Sequence, residues 1–236
     1  KIPCRQNLRF GREEPHLMNK RTTVFIGYCN YVSGSGAQEH EIAVSMLKHA
    51  FLEFFHTKFR ESAVKRDGCG KPYYEENPNL KFNITHCKEG VAVALCDYEV
   101  GIDAESMRQV NFRTVKKSCS RDECSYVLGM RAADADGNGR LKQEEAKRFL
   151  ALWTLKESYV KMTGKGLLVP FDTVCFFPPD PCTLREGSTI NVKGFDRLCR
   201  HYLHVSDRLI LALTVQREET AVEPELVWKE YPYESL

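Results

Sequence analysis

The stretch that decides the fold reads Trp153-Thr154-Leu155-Lys156-Glu157-Ser158-Tyr159-Val160-Lys161. It lies inside the longest helical pattern of the chain, from about residue 143 to residue 163, and the glycines that follow are typical of a helix C-terminus. On a helix, Trp153, Glu157 and Lys161 lie four residues apart and share one face. Taken alone, the last two would be an ordinary surface ion pair worth a few tenths of a kcal/mol.

A second acidic motif, Gly101-Ile102-Asp103-Ala104-Glu105, precedes this helix. Asp103 and Glu105 alternate with apolar residues on an extended segment, so both carboxylates emerge from one face of a strand. Hard cations such as Mg²⁺ take oxygen ligands of this kind and complete their shell with waters and substrate phosphates. Two solvated carboxylates on an edge strand remain the alternative, because so short a motif is weak evidence by itself.

Similar strand patterns lie on both sides of the helix. Residues 81–86 and 91–96 predict a hairpin that leads into the acidic strand, and residues 202–207 and 209–215 predict another. These repeated patterns indicate an α+β fold made of two similar halves, related by a pseudo-twofold axis, with a crevice between them.

Shorter patterns complete the predicted elements. Residues 22–31 read as a strand that leads through a Gly/Ser loop into a helix. A capping box of Ser120 and Glu123 begins another, shorter helix. The first of these two helices has apolar residues at three- and four-residue intervals, which predict one buried stripe: Ile42, Met46, Leu47, Phe51, Phe54 and Phe55.

Composition limits the classes of function. The 236 residues, 42% of them hydrophobic, are enough to bury a substantial core. A formal net charge of +2, from 34 basic and 32 acidic residues, gives no excess for binding nucleic acid. The longest apolar runs are far shorter than a membrane span. The ten cysteines show no CxxC spacing, so we expect reduced thiols and a cytoplasmic protein.

Taken together, the motifs resemble the 4′-phosphopantetheinyl transferase superfamily, in particular its longer, pseudo-dimeric class, the type that activates surfactin synthetase. The resemblance covers roughly the middle half of the chain, and its specificity comes from a Gly-x-Asp-x-Glu motif followed by Trp-x-x-Lys-Glu-x-Tyr-x-Lys. In chain order, the matching stretches are Lys71-Pro72, Phe82-Asn83-Ile84-Thr85-His86, Gly101 to Glu105, and Trp153 to Leu167.

The resemblance implies the fold of that family and a division of the chain. Residues 1–105 would form an N-terminal half with the coenzyme A motifs and the first metal ligands. Residues 106–225 would form a C-terminal half with the catalytic helix, and residues 226–236 a tail.

The resemblance also implies a metal site and its catalytic groups. Asp103, Glu105 and Glu157 would bind Mg²⁺, which bridges to the pyrophosphate of coenzyme A. Glu157 would be the general base, directly or through a metal-bound water, and Lys161 would offset charge on the departing 3′,5′-ADP. Asp103 would belong to the catalytic set through the metal.

Coenzyme A binding is implied for a further set of side chains. Lys71, Thr85 and His86 would bind the phosphates of the nucleotide, because an ammonium, a hydroxyl and an imidazole all donate to anions. Lys156 and Lys161 would lie near the pyrophosphate. For His86, a buried core histidine is the structural alternative.

The activity implied is transfer of the 4′-phosphopantetheine group from coenzyme A to a serine of an apo carrier protein of the acyl, peptidyl or aryl kind. We expect a monomer, since both halves lie in one chain. Two alternatives stay open, namely a calcium-responsive or non-catalytic coenzyme A-binding module and a nucleotide pyrophosphate hydrolase.

One further motif resembles an EF-hand loop. Residues 134–145 have acidic or amide residues at positions one, three, five and twelve of the loop and glycine at the sixth position. They predict a second metal site, for Ca²⁺, while a turn that caps the following helix is the alternative. The predicted ligands are Asp134, Asp136, Asn138, Arg140 through its backbone oxygen, and Glu145.

Overall fold

The computed structural model describes residues 22–30, 36–129, 139–217 and 222–235. The α-helices in these ranges are α1 (Gly36–Phe55), α2 (Phe112–Ser118), α3 (Arg121–Leu128) and α4 (Gln143–Thr163). The strands in the first part are β1 (Thr23–Asn30), β2 (Val64–Arg66), β3 (Pro72–Tyr74), β4 (Lys81–Cys87), β5 (Gly90–Cys96) and β6 (Val100–Ser106). The remaining strands are β7 (Ser188–Val192), β8 (Cys199–Val205), β9 (Leu209–Gln216) and β10 (Glu225–Glu230).

Two four-stranded sheets form the centre of the molecule. The first sheet has the order β10-β1-β5-β4, in which β10 runs parallel to β1 and the other pairs are antiparallel. The second sheet has the order β6-β9-β8-β7 and is antiparallel throughout. A small separate hairpin joins β2 to β3.

The sheets stack face to face between helices. In β5, Val91, Val93 and Leu95 pack in the core under α1, whereas Ala92 and Ala94 pack in the core between the sheets. Strand β9 alternates in the same way between the core under α4 and the core between the sheets. Each fully buried Val or Leu in these layers contributes about 1.5–3 kcal/mol. The order of layers is therefore helix, sheet, sheet, helix, and α4 covers the outer face of the second sheet.

The predicted α+β class is confirmed, together with its principal elements. Helix α1 buries most of the predicted stripe and half-buries Phe54 and Phe55, and α4 has the predicted bounds. The capping box of α3 is also present. The backbone N–H of Ser120 donates to Glu123 Oε2 at 2.8 Å, and the backbone N–H of Glu123 donates to Ser120 Oγ at 3.3 Å. The pseudo-twofold relation of the halves stays a prediction.

The predicted tail, residues 226–236, needs correction. Most of β10 lies in this segment, and β10 completes the first sheet by pairing Thr23 with Glu225 and Tyr28 with Glu230 at its two ends. The predicted boundary after residue 105 also differs from the sheets, since β6 belongs to the second sheet. The division into halves stays a prediction. The sequence patterns did not indicate α2, β7 or the β2–β3 hairpin.

Among the helices in the described ranges, none has the length and apolar character that crossing a bilayer requires. The nine cysteines in those ranges are free thiols.

Candidate active site

Close packing of β6 against α4 sets the geometry of the site. Gly101 lies directly under α4, where a Cβ atom would overlap the carbonyl oxygen of Ser158 and the backbone nitrogen of Met162. Only glycine permits this approach, because it has no side chain. The next residues on the same face of β6, Asp103 and Glu105, are thereby brought to the helical face that carries Glu157.

Asp103 is the most buried carboxylate of the site. Its side chain is 9% exposed, and Asp103 Oδ1 lies 2.6 Å from Lys161 Nζ. Thr85 donates its hydroxyl to the same oxygen at 3.1 Å, and Lys161 Nζ lies 2.9 Å from Thr85 Oγ1. Burial raises the pKa of Asp103 above its ordinary value, although the Lys161 ammonium opposes that effect. Strand β4, strand β6 and helix α4 therefore meet at one hydrogen-bonded group.

Two more carboxylates face the same cavity of about 430 Å³. Glu105 accepts from Arg108 through both oxygens, with distances of 3.0 Å to Nε and 3.0 Å to Nη2. The pKa of Glu157 is raised, first by burial and then by the charges of Asp103 and Glu105, while Lys161 lowers it. Asp103 and Glu105 therefore lie close enough to disfavour the ionised form of Glu157.

The chemistry of this set fits a hard divalent cation. All three side chains offer oxygen, which Mg²⁺ prefers, and a cation would relieve the repulsion among them. In the described residues, however, no three His, Cys, Asp or Glu side chains are gathered into a ready ligand shell. Lys161 and Arg108 contact Asp103 and Glu105, so a metal ion bound here would share the carboxylate oxygens with these cations or displace them.

Further cavities continue from the acidic one along β4. One of about 610 Å³ lies between α1 and β4 and shares His86 with the acidic cavity. Another of about 360 Å³ lies between the β2–β3 hairpin and α4 and shares Glu157 and Lys161 with it. A trough therefore runs from α1 across β4 to the acidic centre, with room for an extended ligand.

Basic side chains border this trough. Lys71 Nζ lies 2.6 Å from Glu99 Oε2 and donates to the carbonyl oxygen of Met162, also at 2.6 Å. His86 has a side chain that is 63% exposed, with Nδ1 3.1 Å from Glu39 Oε2. The alternative of a buried core histidine is therefore wrong for His86, which is accessible to a ligand.

The prediction that Lys156 binds the cofactor needs correction. Its side chain is 1% exposed and forms an ion pair with Glu123, whose side chain is fully buried, at 2.7 Å. Lys156 Nζ also donates to the carbonyl oxygens of Ser118 at 2.8 Å and Phe171 at 2.6 Å. All three ammonium protons are thus used inside the core, because the helix turns this side chain away from Glu157. Lys156 stabilises the fold and does not reach the trough.

Residues 134–138 of the predicted calcium loop, which include Asp134, Asp136 and Asn138, lie outside the described residues. Glu145 is buried, and its Oε2 accepts from the backbone N–H of Lys142 at 2.8 Å. Arg140 forms an isolated β-bridge with Asn111. Glu145 therefore caps α4 as the alternative predicted, and calcium binding at this loop stays a prediction.

Sequence patterns did not reveal two contacts that shape the site. Arg108 holds Glu105, and Asn83 Oδ1 accepts from the backbone N–H of Ile102 at 2.9 Å, which ties β4 to β6. Asn83 lies in the same short motif as Thr85 and His86. Arg108 lies three residues after Glu105, but in a loop this spacing does not determine whether the two side chains are in contact.

Comparison with known proteins places these residues in a family context. The model of the 4′-phosphopantetheinyl transferase superfamily matches residues 99–214, a segment that includes Asp103, Glu105, Glu157 and Lys161 but not Lys71, Thr85 or His86. The chain is similar to 4′-phosphopantetheinyl transferase Sfp of Bacillus subtilis strain 168, with 35% identity over 104 residues, which are 44% of this chain and 42% of that protein.

Other relatives show the same partial coverage. 4′-Phosphopantetheinyl transferase psf-1 of Bacillus pumilus is 29% identical over 122 residues, covering 52% of this chain and 48% of the relative. The L-aminoadipate-semialdehyde dehydrogenase-phosphopantetheinyl transferase of Saccharomyces cerevisiae is 31% identical over 139 residues, covering 53% and 48%. The chain thus spans about half the length of these curated relatives.

Proposed function

Since the chain belongs to the 4′-phosphopantetheinyl transferase superfamily, we propose that it transfers the 4′-phosphopantetheine group of coenzyme A to a serine hydroxyl of an apo carrier protein. The other product is 3′,5′-ADP. The observation that carries the proposal is the acidic cavity in which Asp103 meets Lys161, since the family match includes both residues and the trough beside them suits an extended cofactor.

The reaction requires a neutral hydroxyl to attack a phosphorus surrounded by negative oxygens. Catalysis therefore depends mainly on positioning and on neutralising charge. Asp103, Glu105 and Glu157 would hold Mg²⁺, which when bound supplies positive charge to the pyrophosphate oxygens.

Two residues of α4 carry the remaining chemistry in this proposal. Glu157 takes the proton of the attacking serine, since its carboxylate lines the same cavity as Asp103 and Lys161. Lys161 compensates charge on the departing 3′,5′-ADP, after it exchanges its bond to Asp103 for one to a phosphate oxygen.

Three residues bind the phosphates of coenzyme A in this proposal. His86 is exposed at the meeting of two cavities and can donate to an anion. Lys71 uses two of its three N–H groups on Glu99 and Met162, which leaves one for a phosphate. The hydroxyl of Thr85 borders the same cavity as Lys161.

We also propose that the protein acts as a monomer in the cytoplasm. The carboxylates and basic groups named above all come from one chain, so the site needs no second copy. The free cysteines of the described ranges suit a reducing compartment. A monomeric mass by light scattering, with activity retained at nanomolar protein, supports the proposed monomer. Activity only as an oligomer contradicts it.

The decisive experiment incubates the protein with coenzyme A, Mg²⁺ and apo carriers of the acyl, peptidyl and aryl types. Intact-mass analysis should show the phosphopantetheine adduct on at least one carrier, and 3′,5′-ADP should appear in equal amount. Hydrolysis of coenzyme A with unmodified carriers indicates a pyrophosphate hydrolase instead. Binding of coenzyme A without turnover indicates a non-catalytic module.

A further inference from the structure

A row of three residues crosses the second sheet directly under α4. Gly101 of β6 pairs with Thr214 of β9, and Thr214 pairs with His201 of β8. Ser158 of α4 lies over this row, with its carbonyl oxygen against Gly101. Ser158 follows Glu157 in the chain, so the row lies beneath the catalytic turn of the helix.

Hydrogen bonds run along this row from the helix into the sheet. Ser158 Oγ donates to the carbonyl oxygen of Leu155 at 2.8 Å and lies 2.8 Å from Thr214 Oγ1. Thr214 Oγ1 in turn lies 3.0 Å from His201 Nδ1. Ser158, Thr214 and His201 are all buried, with exposures of 0%, 0% and 1%. We call these three side chains the Ser–Thr–His chain.

The tautomer of His201, and with it the direction of each hydrogen bond, follows from counting the available donors. If Nδ1 of His201 carries its proton, it donates to Thr214, Thr214 donates to Ser158, and Ser158 donates to Leu155, so three hydrogen bonds form. If Nε2 carries the proton, Thr214 must donate to Nδ1 and Ser158 must donate to Thr214. Ser158 then has no proton left for Leu155, so only two hydrogen bonds form. That arrangement also buries an N–H group at Nε2, which has no hydrogen-bond partner among the described residues. The first arrangement is therefore favoured.

The surroundings keep His201 neutral. Burial lowers its pKa to about 4, an effect that Asp196 opposes and Arg200 reinforces. The rings of Phe176 and Tyr159 pack at centroid distances of 4.7 Å and 6.2 Å. A Cβ at Gly194 would come within 2.5 Å of His201 Nε2, so glycine there makes room for the ring.

We propose that the Ser–Thr–His chain is a positioning device, which fixes the rotation of α4 on the second sheet and thereby aims Glu157 and Lys161 at Asp103. This inference rests on the proposed function for its catalytic consequence. The three residues touch neither cofactor nor substrate and act only through the helix.

A second Thr–His pair in the same sheet offers a matched control. Thr189 of β7 pairs with His204 of β8, and Thr189 Oγ1 lies 2.8 Å from His204 Nδ1. His204 points toward the first sheet, where it stacks on Trp228 with centroids 4.3 Å apart. Thr189→Val therefore breaks the same kind of hydrogen bond without disturbing α4.

The test compares Thr214→Val, Thr214→Ser, Ser158→Ala and Thr189→Val in the full chain. Thr214→Val and Ser158→Ala should lower kcat at least tenfold while the KM for coenzyme A changes less than threefold. Thr214→Ser should restore kcat to within threefold of wild type, and Thr189→Val should leave it unchanged. Wild-type kcat in Thr214→Val, or a loss in Thr214→Ser or Thr189→Val as large as that in Thr214→Val, would overturn the proposal.

Two NMR measurements test the Ser–Thr–His chain without requiring enzymatic turnover. Nitrogen shifts of His201 should show the proton on Nδ1 in wild type, and the indole N–H of Trp153 on α4 should shift in Thr214→Val but not in Thr214→Ser. If the wild type modifies no carrier while both signatures hold, only the proposed activity fails. A proton on Nε2, or an indole resonance that does not shift in Thr214→Val, contradicts the positioning role of the Ser–Thr–His chain. If Thr214→Val does not fold, Ser158→Ala replaces it in these measurements.

Discussion

Lys161 Nζ lies 2.6 Å from Asp103 Oδ1, and this contact joins helix α4 to strand β6 across 58 positions of sequence. Each group lowers the free-energy cost of burying the other, since an unpaired buried charge is strongly destabilising. The same contact gives the buried Asp103 carboxylate a cationic partner from within the chain. The proposed binding of Mg²⁺ and coenzyme A would redistribute this charge, and the variants below examine that proposal.

Replacing Asp103 or Glu157 with alanine should nearly abolish carrier modification, by about 100-fold or more in kcat, because electrostatic groups of this kind contribute on that scale. The protein should stay folded, since each side chain lies at the cavity rather than in an apolar core. Intact-mass assays and circular dichroism measure the two effects. Wild-type turnover of either variant at saturating Mg²⁺ would show that the metal assignment is wrong.

The Glu157 carboxyl should make the protein less stable as pH rises. Its folded pKa is raised above the ordinary 4.5, mainly by burial, so the folded state keeps a proton that the unfolded state has released. Stability from this group is present at low pH and is lost as pH rises through the folded pKa.

Glu157→Gln removes this titration and should raise the Tm at pH 7 without added metal, while the difference from wild type should shrink toward pH 4.5. Thermal unfolding between pH 4.5 and pH 7 measures this difference in Tm. Glu144→Gln, on the exposed side of the same helix, is the control and should leave the pH profile unaltered. A Glu157→Gln profile parallel to wild type would contradict the prediction.

Lys156→Met should destabilise the fold by about 3–5 kcal/mol, because it leaves Glu123 buried without a cationic partner. Urea unfolding measures the loss. The folded fraction should retain the wild-type KM for coenzyme A, since Lys156 does not border the trough. A raised KM with unchanged stability would restore Lys156 as a cofactor-binding residue.

Gly101→Ala should lower both stability and activity, because the added methyl group forces β6 and α4 apart. Overpacking of this kind costs about 1–3 kcal/mol or more. Gly36→Ala, where a Cβ meets nothing within 4 Å, should be tolerated. Denaturant titration and carrier-modification rates compare the pair, and equal behaviour would mean that the close approach is not needed.

Millimolar Ca²⁺ should raise the Tm of wild type but not of Asp134→Ala combined with Glu145→Gln, since only binding to the folded state stabilises it. Glu145 already caps α4, so the single variant Asp134→Ala separates ligand loss from cap loss. Differential scanning fluorimetry with and without Ca²⁺ measures the response. Equal calcium responses in all three proteins would leave the loop as a helix cap alone.

Local patterns were enough to predict a large part of this fold. The spacing of Trp153, Glu157 and Lys161 predicted the polar face of α4, and alternation predicted that Asp103 and Glu105 share one face of β6. The capping box of α3 was also readable, because such signals depend on residues within one turn or one strand. The same local evidence predicted that the carboxylates share a cation, which stays a prediction.

Only the tertiary structure decided how the elements meet. Lys156 and Lys161 lie on one helix, and the family resemblance implies that both lie near the pyrophosphate, but packing buries the first against Glu123 and turns the second toward Asp103. Strand β10, near the end of the chain, pairs with β1, near its beginning. Such contacts join residues far apart in sequence, and their partners depend on the stacking of two sheets, which no short pattern encodes.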